Sequence, residues 1–265
     1  MPRADLNAPQ LFRYATRIGF GLEIDGAGES LGQRDLPDGS SVSALSFGSS
    51  DPRSLIREGS GYWKYVPTDA GVRFLTSYDY EPRYGRIGKA LDSLLFRPLM
   101  GWATAWSFDR LRIWLEQKTE PNVALRHALI HAIARLALAF VFVYQGAVPK
   151  LFGRNVDELS MLSSMGVPLN LLGGAVSLVG IAEIILGICL FAVWRSRWPL
   201  VVTLVLMTLA TLTVSIAAPS FLSAAFNPIS LNLAVAAIAT IDLLTDPERT
   251  PTASRCLRTP PLNKS

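Results

Sequence analysis

The chain has 265 residues, half of them hydrophobic and only 17% charged, with a formal net charge of +4. The basic excess is small and dispersed, with no basic run, which excludes nucleic acid as a partner. Cys189 and Cys256 form no CxxC pair, so neither a structural disulfide nor dithiol exchange within the chain is expected. No phosphate loop, dinucleotide fingerprint, HExxH or nucleophile–base constellation occurs, and no enzyme class is recognisable by motif.

The average conceals a step in composition. Residues 1–120 carry an ordinary mixture of charge, glycine and aromatics; 121–245 are strongly apolar; 246–265 read as a polar, disordered tail. The first residues, MPRADLNAPQ, have no apolar core, so no cleavable signal peptide is expected and the first apolar run serves as its own insertion signal. From Leu11 to Ile24 the pattern alternates: Phe12, Tyr14, Thr16, Ile18, Phe20, Leu22 and Ile24 share one parity, with Arg13, Arg17 and Glu23 on the other. Period two over this length predicts one half-buried strand, bent at Gly19 or Gly21. Asp38-Gly39 signals a turn before a second strand, Ser41–Phe47, and Tyr62–Pro67 and Gly71–Tyr80 flank a hairpin turn at Thr68-Asp69-Ala70. The sum is an antiparallel sheet of about four strands.

After Gly85 the period changes. Ile87, Leu91, Leu94, Leu95, Leu99, Trp102, Trp106 and Trp114 fit one broad face of a long helix, which Pro98 should kink or split. The stretch GYWKYVPTDAGVRFLTSYDYEPRYG followed by LDSLLFRPLMGWATAWSFDRLRIWLE resembles the helix-grip fold of the START-like (SRPBCC) superfamily. The resemblance implies an α+β unit holding an apolar ligand between sheet and helix. Here it is incomplete, because the opening strand and the two short helices of that fold have no counterpart. Trp102 and Trp106 are then the ligand-facing candidates. The alternatives are that the tryptophans are plain core, or that the helix lies on a bilayer surface with aromatic and arginine anchors.

Four apolar runs follow: Ile130–Val148, Val167–Trp194, Trp198–Ala218 and Leu222–Leu244. Each approaches or exceeds the roughly 20 residues needed to cross a hydrocarbon core of about 30 Å, so an all-α four-helix transmembrane bundle is expected. Arg110, Arg112, Lys118 and Arg126 precede the first run, Arg195 and Arg197 divide the second from the third, and Arg249, Arg255, Arg258 and Lys264 follow the fourth. The positive-inside rule then puts both termini in the cytoplasm and the bundle in the cytoplasmic (inner) membrane.

The first run reads HALIHAIARLALAFVFVYQGAVPKLFGR. With Arg135, Gly146, Pro149 and Lys150, with GIAEIILG in the second run and with NPISLNLAVAAIATIDLL in the fourth, it resembles the DoxX-like family of four-helix bacterial membrane proteins. That family is associated with redox systems, including a small subunit of a thiosulfate:quinone oxidoreductase. The resemblance implies an accessory role and, as a bound group, a quinone; the residues themselves imply no cofactor.

At 3.6 residues per turn His127, His131, Arg135 and Gln145 fall within an arc of roughly 80° on the first helix. Ionisable groups inside a membrane cost about 2.5–3.5 kcal/mol each on insertion scales and face the bundle interior. Glu183, flanked by Gly180 and Gly187, offers the matching charge, so Arg135–Glu183 is the expected intramembrane pair, either purely architectural or serving proton or headgroup chemistry. Two histidines one turn apart supply too few ligands for a metal site. Lys150 is expected to snorkel to the far surface, while Asn227 and Asn232, with Thr208, Thr211 and Ser215, should hydrogen-bond between helices. The expected function is a membrane accessory component that binds a lipid-soluble partner such as a quinone, with the bilayer, a cytoplasmic oxidoreductase or another membrane subunit as partners. A lipid-sensing or apolar-ligand protein is the alternative, and a small transporter the third.

Overall fold

The computed structural model describes residues 10–18, 22–223 and 227–256. Its described residues form two compact units, 10–105 and 106–256.

The first unit is a five-stranded antiparallel meander, β1 (Gln10–Ile18), β2 (Leu22–Asp35), β3 (Ser41–Gly48), β4 (Ile56–Thr68) and β5 (Gly71–Pro82), in the order 1-2-3-4-5. The expected single strand from Leu11 to Ile24 is in fact a strand pair, β1 and the start of β2, with Ile18 opposite Leu22 and Thr16 opposite Ile24. Both members of each such pair carry even numbers, so the period-two pattern passes through the reversal unbroken and alternation alone cannot reveal it. The expected bend at Gly19 or Gly21 lies outside the described residues. Asp38 and Gly39 form the expected turn: the Ser40 backbone N–H donates to Asp38 Oδ1 at 2.9 Å, and Gly39 takes φ +78°. Across the sheet, aromatic rings lie over glycines in their own cross-strand register, Phe12 over Gly28, Tyr14 over Gly26 and Phe47 over Gly59. A methyl group at any of the three would collide with the facing ring.

A helix follows as α1 (Gly85–Leu91), a wide π-type turn over Asp92–Phe96, and α2 (Arg97–Gln117). The expected kink at Pro98 is taken up by that wide turn, since an extra residue per turn just before a proline absorbs the missing N–H. Asp92 is buried and joins helix to sheet. It accepts from the Tyr80 hydroxyl at 2.5 Å and from Arg97 Nε at 3.1 Å, and the Arg97 guanidinium sits 5.0 Å over the Tyr80 ring. Burial, with the bond to Asp92, pushes the Tyr80 phenol up to about 12.

The second unit is helical: α3 (Pro121–Gln145), a π-type turn (Gly146–Phe152), α4 (Val156–Ser164), α5 (Leu172–Ala192), α6 (Trp198–Ala217) and α7 (Pro228–Leu244). Among the described residues three helices are long and apolar enough to cross a membrane: α3 with its π-type turn (32 residues), α5 (21) and α6 (20). The fourth expected span is the shorter α7, 17 residues. Leu138, Ala139, Phe142, Leu186, Leu190 and Leu200 lead the core, closed by Val235 and Ala239 of α7. The π-type turn after α3 touches α5 backbone to backbone at Gly146 and Gly180: a Cβ on Gly180 would lie 2.8 Å from the Gly146 carbonyl oxygen. Small residues at a helix crossing are what permit such an approach.

The described part of the tail expected to be disordered, residues 246–256, lies against α2. Asp109, fully buried on α2, accepts from the Thr252 backbone N–H at 2.8 Å and from Arg255 at 3.2 Å, while Arg112 completes its ion pairs. A buried carboxylate needs such donors, and the tail supplies two of them.

Candidate functional site

α3 enters its core with His131 and Arg135, one turn apart and on the same face. Both meet Asp242, near the end of α7. Arg135 Nε donates to Asp242 Oδ2 at 3.0 Å, and His131 Nδ1 lies 2.6 Å from Asp242 Oδ1. Arg135 is 1% exposed and Asp242 3%. The remaining guanidinium donors serve the end of α5 and the turn after it, reaching the carbonyls of Leu190 at 3.3 Å, Val193 at 3.4 Å and Ser196. The last carbonyls of a helix have no partner within it, and here one arginine supplies several. His131 Nε2 reaches a fourth carbonyl, that of Trp194, at 3.0 Å, with the two rings edge-on at 5.4 Å.

The expected Arg135–Glu183 pair is therefore not formed. Along α5, Glu183 precedes the Leu190 and Val193 carbonyls by seven and ten residues, roughly 10–15 Å of rise. The displacement has a simple origin: α3 begins at Pro121, well before its apolar run, so its first turns extend past the end of α5 and Arg135 lies level with Leu190 and Val193 rather than with Glu183. The missed partner, Asp242, is the one acid inside the fourth apolar run. Helices entering and leaving on one side bring the early part of α3 level with the end of α7, and that is the signal that could have found it.

Glu183 instead belongs to a second cluster. Lys150, in the π-type turn after α3, is buried, with Nζ 3.1 Å from both Glu158 of α4 and Glu183 of α5. Lys150 does not snorkel outward: the turn and the glycine crossing aim it inward, between two carboxylates. The Glu183 oxygen facing it is enclosed and lies off any hydrogen-bond line.

The other polar candidates separate by role. Asn232 Nδ2 donates across to Thr211 of α6 at 3.2 Å, whereas Asn227 caps α7 by accepting from the Ser230 N–H at 2.8 Å. Thr208 and Ser215 turn back onto carbonyls of their own helix. Gln145 ends α3 half-buried, and His127 has an enclosed Nδ1 without a hydrogen bond among the described residues. In the first unit an open groove of about 620 Å³ is lined by Leu11, Phe47, Tyr80 and the carboxylates Glu29, Glu58, Asp79 and Glu81. Trp102 and Trp106 are not among its walls: Trp102 is 53% exposed, and Trp106 stacks under Arg110 in the second unit. Among the described residues no group of His, Cys, Asp and Glu is placed to hold a metal ion.

Residues 139–240 match the model of the DoxX-like family. That stretch contains Lys150, Glu158 and Glu183 and stops short of His131, Arg135 and Asp242. An uncharacterized membrane protein of Bacillus subtilis, YndG, is 49% identical over 138 residues, 52% of this chain and 52% of that protein. The chain thus spans about half the length of the curated relative it matches. No solved structure matches. The apolar helices and these two matches make the chain a membrane protein.

Proposed function

We propose that this protein is an accessory component of a membrane redox system, holding a proton at His131–Asp242 beside a site for a lipid-soluble quinone. One observation carries the proton: the pair of contacts made by His131. The Trp194 carbonyl can only accept, so Nε2 must carry hydrogen, and a contact of 2.6 Å between Nδ1 and a carboxylate oxygen also needs a hydrogen between them. Both contacts are hydrogen bonds only when the imidazole and Asp242 together hold one proton more than a neutral ring and a carboxylate. α5 and α7 both end at this cluster, so the negative ends of their dipoles face it together with the Arg135 guanidinium. The redox connection rests on the family resemblance. In this reading α7, whose 17 residues lie at the lower limit for a crossing, completes a four-span bundle in the inner membrane, with both termini cytoplasmic.

The second reading is favoured by the groove on the sheet, which has the volume of a small-ligand site. There the first unit would hold a lipid in an open START-like grip.

The two readings separate by what the protein carries. Extraction in mild detergent and mass spectrometry of bound small molecules should find a quinone close to stoichiometric with the chain, and much less of it in His131→Gln. Lipid without quinone in the unaltered protein would overturn the redox reading; its loss on filling the groove with Ser60→Trp, at an exposed lining position, but not on His131→Gln, would establish the second.

A further inference from the structure

The helical segment that closes the first unit has two unlike sides. Asp92 and Phe96 turn toward Tyr80 of the sheet, and Gly88, one turn earlier, is buried against the Arg83 carbonyl. Ile87, Leu91, Leu94, Leu95, Leu99 and Trp102 are spaced by three and four on the outward side, and each is about half exposed or more, Ile87 at 81% and Leu94 at 82%. A stripe of six large apolar side chains running through α1 and the start of α2 is larger than the scattered apolar exposure normal for a protein surface.

The charges beside the stripe are of one sign. Between residues 83 and 105 the basic residues are Arg83, Arg86, Lys89 and Arg97, against the single acid Asp92, which is buried and already bonded to Tyr80 and Arg97. Arg83 is held by backbone carbonyls of Ser49 and Asp51. Arg86 and Lys89 are exposed and have no ion pair among the described residues. An apolar stripe bordered by unpaired cations matches the headgroup–acyl boundary of an anionic bilayer, where lysine and arginine meet phosphate while leucine and tryptophan enter the acyl region. Trp102 suits the interfacial level in particular. In a chain whose next helix, α3, is apolar enough to cross a membrane, that surface is within reach by covalent connection alone.

We infer that residues 85–105 form an in-plane anchor, lying on the anionic face of the bilayer with Ile87, Leu94 and Trp102 inserted and Arg86 and Lys89 on lipid phosphates. The anchor fixes the first unit to the membrane surface, and it holds whether the protein serves a quinone or a lipid.

The test uses the full chain with Cys189 and Cys256 replaced by alanine, reconstituted in nanodiscs of mixed phosphatidylcholine and phosphatidylglycerol. Spin labels are placed singly at Ile87→Cys, Leu94→Cys, Trp102→Cys and Lys89→Cys, and collision rates with oxygen and with a water-soluble nickel chelate are compared. The expected result is a several-fold preference for oxygen at 87, 94 and 102 and for the chelate at 89. Adding Arg86→Glu and Lys89→Glu should shift the first three toward the chelate in anionic discs only. Chelate preference at all four positions in the unreversed protein would overturn the inference. So would shielding from both reagents with dipolar broadening, which would mark a second copy of the chain on this face.

Discussion

The two charged clusters of the helical unit solve one problem in opposite ways. At the Arg135 end a planar guanidinium and an imidazole of α3 share one carboxylate of α7, and the guanidinium also takes the open carbonyls at the end of α5, so fixed donors find fixed acceptors on two neighbouring helices. At the Lys150 end a flexible ammonium stands between two carboxylates from different helices, and one enclosed oxygen of Glu183 lacks a hydrogen bond. Arginine's fork makes the first arrangement directional, while lysine's point charge leaves the second adjustable. The difference teaches that burial of charge does not by itself define a role: one cluster satisfies the open end of a helix, and the other sets one ammonium between two carboxyl groups.

The largest expected effect breaks the first arrangement. Arg135→Gln leaves Asp242 buried without its main cation and returns the α5 carbonyls to an unsatisfied state, a loss of about 3–5 kcal/mol. In detergent this should appear as a large fall in melting temperature. Adding Asp242→Asn should recover part of the loss, whereas adding Glu183→Gln should be additive, because Glu183 is not a partner. Recovery by Glu183→Gln would mean that the two clusters are coupled.

The glycine crossing that aims Lys150 comes next. Gly146→Ala puts a methyl group against the Gly180 backbone and Ile184, and backbone cannot step aside as a side chain can. The expected loss is about 1–3 kcal/mol. Gly174→Ala, in the same helix pair but with nothing within contact distance, should be neutral or stabilise by up to about 1 kcal/mol. Equal effects from the two would remove the crossing as the feature that positions the second cluster.

Lys150→Gln should cost less than Arg135→Gln, about 1–2 kcal/mol, because Glu158 retains some access to solvent. Glu183→Gln in the Lys150→Gln background should restore most of it. A cost equal to that of Arg135→Gln would mean that this cluster is as rigid a tie as the first.

The smallest effect concerns Cys256, in the tail that lies against α2. Burial, and then the nearby Asp109 carboxylate, push its thiol above the ordinary cysteine range. The thiolate is the reactive form, so labelling by a maleimide should be several-fold slower than for an exposed cysteine at neutral pH and should accelerate as pH rises. Labelling at the exposed-cysteine rate would show that the tail does not rest on Asp109. A slow rate also means that side-of-membrane labelling at this position must be read against permeabilised membranes labelled at the same pH.

Much of the architecture was legible in the chain. Long apolar runs announced the membrane helices because crossing a bilayer sets a minimum length and composition. Period two announced the strands, and the switch at Gly85 announced the helix. Strand number was not legible: β1 and β2 are separated by an odd number of residues, which preserves parity, so one long strand and two paired strands read alike. Arg135, His131, Lys150 and Glu183 stood out because charge inside an apolar run is costly. Their partners did not, since apolar pattern fixes neither where a helix begins nor what lies level with it.

Composition and periodicity by themselves determined that this protein is a sheet-and-helix unit joined to apolar membrane helices, and which side chains had to find partners there. Both follow from local rules, the cost of burying charge and the geometry of strand and helix. Only the tertiary structure decided that Arg135 and His131 meet Asp242 while Lys150 takes Glu183. That choice depends on the start of α3, the wide turn after Gln145 and the close passage of Gly146 over Gly180, which together set relative depth across helices far apart in sequence.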